Sequence, residues 1–255
     1  MLAGSRGAAD PLVRHTGERH KALIRLEGTT MLVRVLRTLE ESESVGPITI
    51  CIEDDVIAAA GDPELDALMV ASNIDTIGTG ATPSQSVIDA LHTLPDPLPL
   101  LVTTADHPLL TPAMVDHFCS AIPAAADLAA GLVEEAVIRE QYPDVLRTYY
   151  RFAGTGYSGC NLFLLRSVKA EQVAAFWSQL ERHRKQPWRL VAAIGPLVLL
   201  RFLLGRLSLD AAMRHLSMRM GADIAAIQLP FAEAAIDVDK PADLTLACAI
   251  LRQRH

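Results

Sequence analysis

Short apolar runs rich in β-branched residues alternate along this chain with segments of helical periodicity. Ile48-Thr49-Ile50-Cys51-Ile52 predicts a buried strand, and Leu98 to Thr104 predicts another after the Pro-rich loop around Pro95-Asp96-Pro97. Thr111-Pro112 then supplies an N-cap with Pro at the first helical position, and Met114, Val115 and Phe118 follow at helical spacing. Extended segments are expected at Val145 to Phe152 and Asn161 to Leu165, flanking a Gly-rich turn from Gly154 to Gly159. Helical pattern dominates from about Ser167 to Met220, with a helix start at Ser208. Ile224 to Leu229 and Ala234 to Val238 read as short strands, and Pro241 to Arg252 as a closing helix. Such alternation predicts a three-layer α/β/α sandwich with a mostly parallel sheet. With no internal repeat or low-complexity linker, residues 1–255 read as a single domain with a helical basic segment at about 167–220.

Composition narrows the classes of function. Half of the 255 residues are hydrophobic, enough for a large core, so disorder is excluded as the main state. A net charge of -7 argues against non-specific binding of a nucleic-acid duplex and favours a small-molecule site. Positive charge is nonetheless concentrated, with seven basic and four acidic residues in 1–40 and eight basic and two acidic in 181–220. Solvated helix faces and anion-binding surfaces both produce such clusters. Cys51, Cys119, Cys160 and Cys248 are widely spaced without a C-x-x-C, which argues against a disulfide framework or structural zinc and fits a reducing cytoplasm. The first residues lack the apolar core of a signal peptide. Leu190 to Leu204, broken by Gly195-Pro196 and charged at Arg201, falls short of the roughly 20 residues of a membrane span.

Candidate chemistry begins at Leu2-Ala3-Gly4-Ser5-Arg6-Gly7. Glycines there let backbone amides turn toward an anion, and Arg6 adds a fork of donors, although ordinary turns share this composition. Neither a Walker A loop nor a G-x-G-x-x-G fingerprint is present. Downstream lie His20-Lys21-Ala22-Leu23-Ile24 and Gly28-Thr29-Thr30-Met31-Leu32 at the head of an apolar helix. Gly78-Thr79-Gly80-Ala81-Thr82-Pro83-Ser84-Gln85-Ser86-Val87 forms a loop running into a helix, on one reading capped by Ser84. Thr104-Ala105-Asp106-His107-Pro108-Leu109-Leu110 and Ile236-Asp237-Val238-Asp239-Lys240-Pro241-Ala242-Asp243-Leu244 supply the acidic residues.

In this order the segments resemble the MobA-like nucleotidyltransferases of the GT-A (nucleotide-diphospho-sugar transferase) fold. Family members carry L-A-G-G-x-G, a Lys in a K-A-L-L segment, G-x-P-M-L, D-x-P-L-L-[ST]-P and D-I-D-T-P-E-D-L. The resemblance covers nearly the whole chain and implies transfer of an NMP from an NTP to a phosphorylated acceptor, with pyrophosphate released. It implies nucleotide contacts at Leu2, Ala3, Gly4, Ser5, Gly7, Gly78, Gly80 and Ser86, with Arg6 and Lys21 as the catalytic cations. Mg²⁺ is expected on Asp106 and Asp239, with Asp237 the alternative second ligand, and the acceptor near Asn161. The residue types suit the reaction: two polyanions approach only when their charge is neutralised, and Mg²⁺ takes hard oxygen ligands from one or two carboxylates. His107 is expected chiefly to fill space, and Glu53-Asp54-Asp55 to form the acidic first turn of a helix.

Two departures stand out. Family members begin with an apolar strand leading into L-A-G-G, whereas here Met1-Leu2 is nearly all of it, so an upstream start or another segment filling the central sheet position is expected. The segment Arg182 to Met220 is also unusual. It reads as core helix or, more sharply, as a border to the acceptor pocket or a peripheral contact with an anionic membrane carrying a lipid-linked acceptor. Alternative functions are a GT-A glycosyltransferase using Asp237-Val238-Asp239 as its D-x-D, and a non-catalytic nucleotide-binding protein.

Overall fold

The computed structural model describes residues 1–4, 9–175 and 195–254. After helix α1 (Pro11–Thr16) and a 3₁₀ turn (Lys21–Leu23), a small hairpin of β1 (Arg25–Leu26) and β2 (Thr29–Thr30) leads into α2 (Met31–Glu41). Thr30 caps α2 through its side chain, and Leu32, Val33, Val35, Leu36 and Leu39 on the helix are buried. Full burial of such side chains contributes about 1.5–3 kcal/mol each. They join a core that includes Leu65, Leu110, Val115 and Phe118, so Leu36→Ala would open a cavity costing about 2–5 kcal/mol.

The sheet is built from β3 (Thr49–Cys51), β4 (Asp75–Ile77), β5 (Leu100–Val102), β6 (Leu128–Glu134), β7 (Tyr150–Phe152), β8 (Thr155–Leu165) and β9 (Ile224–Gln228). Strand β4 pairs parallel with β3, β5 and β6 both pair antiparallel with β8, and β9 pairs parallel with β6. Leu2 closes the gap between β3 and β5 through parallel bridges to Cys51 and Thr104. The spatial order is therefore β4, β3, Leu2, β5, β8, β6, β9, and of these only β8 runs against the rest. The mostly parallel sheet expected from the alternation is present, and the residual first strand at Leu2 itself holds the central position. Helices α3 (Asp54–Ala60), α4 (Pro63–Ala71), α5 (Pro83–Thr93), α6 (Pro112–Ala121) and α7 (Glu135–Gln141) connect the strands. After β8 come α8 (Pro196–Leu203) and α9 (Leu209–Met220), and α10 (Pro241–Gln253) closes the chain.

Several expectations are corrected locally. The Gly-rich stretch is not a broad turn: β8 is continuous from Thr155, and only Ala153 and Gly154, both at positive φ, make a two-residue loop to β7. At Gly156, within the strand, a Cβ would run into the Glu135 side chain, so glycine suits this position. Ala234 to Val238 is not a strand. Residues Ala232–Ala235 form a 3₁₀ turn whose alanines are buried. Thr82, not Ser84, caps α5, because Pro83 takes the first helical position. Within the Arg182 to Met220 segment, α8 buries no residue, with Leu197 and Leu203 about 70 % exposed, whereas α9 buries Leu209 and Ala212 as the core-helix reading expects. Much of the rest of the basic segment lies outside the described residues. Among the described residues no helix is long and apolar enough to cross a membrane, and all four cysteines are free.

Candidate functional site

Six co-directional sheet segments deliver their carboxyl ends to one edge, where open α/β sheets bind ligands. Leu2 donates to the Thr103 carbonyl and accepts from the Ala105 amide, both at 2.8 Å, while the Ala3 amide donates to Cys51 at 2.8 Å. Gly4 follows directly on this ladder, two residues past Leu2 as Asp106 is two past its bridge partner Thr104. A Cβ on Gly4 would stand 3.3 Å from Thr79 Cγ2, so the first loop lies against the loop that follows β4. Leu2, Ala3, Gly4 and Gly78 to Ser86 thus line neighbouring parts of the edge. Ser5, Arg6 and Gly7 lie outside the described residues.

Lys21 occupies the centre. It heads the 3₁₀ turn, is buried, and its Nζ donates to Asp106 Oδ2 at 2.6 Å and Asp239 Oδ1 at 2.5 Å. The two carboxylate oxygens therefore cannot lie farther apart than those two bonds laid end to end. Burial opposes the charged form of Lys21, yet Asp106 and Asp239 together outweigh it and raise the ammonium above the usual lysine range. Burial likewise disfavours the Asp106 carboxylate, but Lys21, by charge and hydrogen bond, holds it below the usual aspartate range. Oδ1 of Asp106 is buried with no hydrogen-bond partner among the described residues. Asp106 follows β5, and its carbonyl accepts from the Val238 amide at 2.8 Å, which ties the two acidic loops together. Asp239 is set in turn by Asp243, whose Oδ2 accepts from the Asp239 and Lys240 amides at 3.1 and 2.9 Å.

On the far side of β3 the loop after β4 closes on its helix. The Gly80 amide donates to Ser86 Oγ at 2.9 Å, and the Cys51 thiol to the Gly78 carbonyl at 3.1 Å. Any Cβ at Gly80 would meet the Ser86 amide at 2.8 Å and Asp89 Oδ2 at 2.9 Å, so only glycine fits, while a Cβ on Gly78 would face open space. Gly80 and Ser86 therefore act as one unit, and Gly78 leaves room beside them.

Asp237 and Asp239, two residues apart, have different partners. Asp237 is held by Arg147, which bonds both its carboxylate and its carbonyl, and by the Asn161 amide at 3.4 Å. Asn161, at φ +51, therefore sits beside Asp237 and not at the Lys21 cluster. His107 is 1 % exposed, and burial holds its imidazole below the ordinary histidine range. Sequence reasoning missed Arg147 and Asp243. The signal for Asp243 was available, since it stands at the third position of the predicted closing helix, where a carboxylate reaches back to free amides. Arg147 lies in a segment without periodicity and carries no such signal.

The donor set suits a hard divalent cation. Two carboxylates converge, one with a buried oxygen lacking a partner, and Mg²⁺ commonly takes one or two protein carboxylates and completes its shell with water and phosphate. Among the described residues no group of three or more His, Cys, Asp or Glu side chains forms a metal cluster, so protein ligands alone would leave such an ion largely open to a substrate.

Residues 1–219 match the family described as MobA-like NTP transferase domain. The chain is similar over 95 % of its length to 98 % of a hypothetical transferase from Thermus thermophilus, at 26 % identity and a TM-score of 0.76. It shares its fold with a CMP:2-keto-3-deoxy-manno-octonic acid synthetase complexed with CTP (14 % identity, TM-score 0.57, 100 % of this chain and 97 % of that one). The same holds for a 4-diphosphocytidyl-2C-methyl-D-erythritol synthase from Anaerococcus prevotii (11 % identity, TM-score 0.55, 91 % and 93 %). A search of curated proteins found no match.

Proposed function

Because this chain belongs to the MobA-like NTP transferase family, a family of nucleotidyltransferases, we propose that it transfers an NMP from an NTP to a phosphorylated small-molecule acceptor. An acceptor phosphate oxygen attacks the α-phosphorus, the bond from that phosphorus to the bridging oxygen breaks, and pyrophosphate leaves with the electron pair. The observation that carries this reading is Lys21 bridging Asp106 and Asp239 at the carboxyl edge of the sheet. The three side chains place one cation against two anions where a triphosphate would meet the end of β5.

The base is assigned to the cleft at Gly78, Gly80 and Ser86, and the triphosphate to the amides of Leu2 to Gly7. Lys21 and Arg6 stabilise charge developing on the α-phosphoryl and pyrophosphate oxygens. Asn161 and its neighbour Asp237 face the acceptor. Mg²⁺, held by Asp106 and Asp239, would supply neutralisation of the triphosphate and polarisation of the α-phosphoryl. The glycosyltransferase alternative needs Asp237 and Asp239 to work as a pair, and the engagement of Asp237 by Arg147 counts against it.

The deciding experiment is pyrophosphate release from ATP, CTP, GTP and UTP across a panel of phosphorylated acceptors, with Asp106→Ala as control. Release that depends on one nucleotide and one acceptor and is abolished in the variant supports the reading. Hydrolysis of a sugar nucleotide in place of pyrophosphate release would overturn it.

A further inference from the structure

We infer that His20 is a positioning residue for Lys21, and that it holds the lysine only as a neutral imidazole of one tautomer. This rests on the role proposed for Lys21 above. His20 is the N-cap of the 3₁₀ turn that Lys21 begins, and its Nδ1 accepts a hydrogen bond from the Ala22 amide at 3.2 Å. Its other nitrogen, Nε2, lies 3.1 Å from Glu53 Oε2. A nitrogen that accepts an amide proton carries none itself, and a nitrogen facing a carboxylate is best satisfied as a donor. Both contacts are met together only by the neutral ring protonated at Nε2.

The location gives this pairing its consequence. His20 is 5 % exposed, so water does not readily replace a lost cap. A second proton could enter only at Nδ1, where it would point at the Ala22 N–H and turn an acceptor into a second donor. The turn would then lose its side-chain cap and keep the backbone bonds from Leu23 to His20 and from Ile24 to Lys21, at 3.1 and 3.2 Å. Lys21 spans from this turn to Asp106 and Asp239, so a shift of the turn moves Nζ relative to both carboxylates.

Several charges face the ring. Burial, the largest influence, keeps the imidazole neutral, and against it Glu53 ahead of α3, Asp10 at the cap of α1 and Asp55 in α3 favour the proton. The net effect places its titration below the ordinary histidine range. Lys21 therefore keeps its placement through the ordinary histidine range, near about 6.5, and loses it only as pH falls through the lower value of the folded ring.

The test compares wild type, His20→Asn and His20→Phe. Asparagine is a good N-cap that does not titrate, whereas phenylalanine fills the space without capping. The first readout is the protection factor of the Ala22 amide in hydrogen exchange followed by NMR. The second is the affinity for the tightest binder among ATP, CTP, GTP and UTP, measured by calorimetry from pH 5 to 8. His20→Phe is expected to lose Ala22 protection and weaken nucleotide binding roughly fivefold to tenfold, with His20→Asn restoring most of both. Wild-type affinity should fall relative to His20→Asn as pH drops, and protonation of the nucleotide itself cancels in that ratio. Equal protection of Ala22 in wild type and His20→Phe, or parallel pH profiles for wild type and His20→Asn, would overturn the inference. Should no nucleotide bind at any pH, the transferase reading fails, while Ala22 protection still decides whether His20 caps the turn.

Discussion

The amide of Val238 donates to the carbonyl of Asp106 at 2.8 Å, joining the loop after β5 to the residue before Asp239. Two carboxylates far apart in sequence are thereby placed by backbone, and Lys21 neutralises a pair whose spacing is already set. Removing the lysine leaves two facing anions, which either take up a proton or recruit a cation. Lys21→Met is therefore expected to bind a divalent ion alone more tightly than wild type, and to bind nucleotide about tenfold less tightly. Calorimetric titration with Mn²⁺, then with each nucleotide, checks both halves, and weaker Mn²⁺ binding in the variant would contradict the arrangement.

Asp243 acts through Asp239, whose amide its carboxylate holds at 3.1 Å. Asp243→Ala should remove about 0.5–2 kcal/mol of stability, as loss of a capping carboxylate does. It should also lower turnover at saturating nucleotide more than Asp243→Asn, which still offers an oxygen to the same amides. Thermal unfolding and steady-state kinetics on the two variants separate these effects.

Gly80→Ala tests the fit between loop and helix. The added methyl meets the Ser86 amide at 2.8 Å, a backbone atom that cannot rotate away. Overpacking of this kind costs about 1–3 kcal/mol. Nucleotide affinity should fall while the response to divalent ion alone stays unchanged, which calorimetry on the same sample would reveal. Gly78→Ala, which meets nothing in the protein, should leave stability unchanged and affect only what occupies the space beside it.

The Lys21–Asp106 pair makes a signed prediction about pH. Asp106 has its folded-state pKa depressed, so its contribution is complete above about pH 4 and is lost as pH falls through the folded value. Lys21 is raised, so its contribution is complete below about pH 10.4 and is lost above that. The stability difference between wild type and Asp106→Asn should thus be flat from pH 5 to 9 and shrink below pH 4. Melting temperatures of both proteins measured from pH 3 to 9 would show it, and a difference that grows on acidification would contradict the pairing.

Sequence alone reached the parts of this molecule that depend on local chemistry. Ile48 to Ile52 and Leu98 to Thr104 announce themselves by β-branched apolar runs, and Thr111-Pro112 by its cap, because each element is specified by its own residues. Leu128 to Glu134 escaped notice: three of its seven residues are Ala or Gly, and its strand form comes from pairing on both sides with β8 and β9. Asp75 to Ile77 is too short to show a period. At the site, Lys21, Asp106 and Asp239 were legible from ordered motifs, but no local pattern tells that Asp237 faces Arg147 while Asp239 faces Lys21. Alternation along a strand would have put both on one side, and that rule lapses where the strand gives way to irregular backbone.

Met1 to Ala3 form a short seam centred on Leu2. On one flank it is stitched to β3, which with β4 carries the Gly80 loop; on the other it is stitched to β5, which carries Asp106. A transient unzipping there would part the Gly80 loop from the Asp106 and Asp239 pair without unfolding either. The exchange rates of the Leu2 and Ala105 amides, which bond across the seam to β5, would gauge how often the two halves of this edge come out of register.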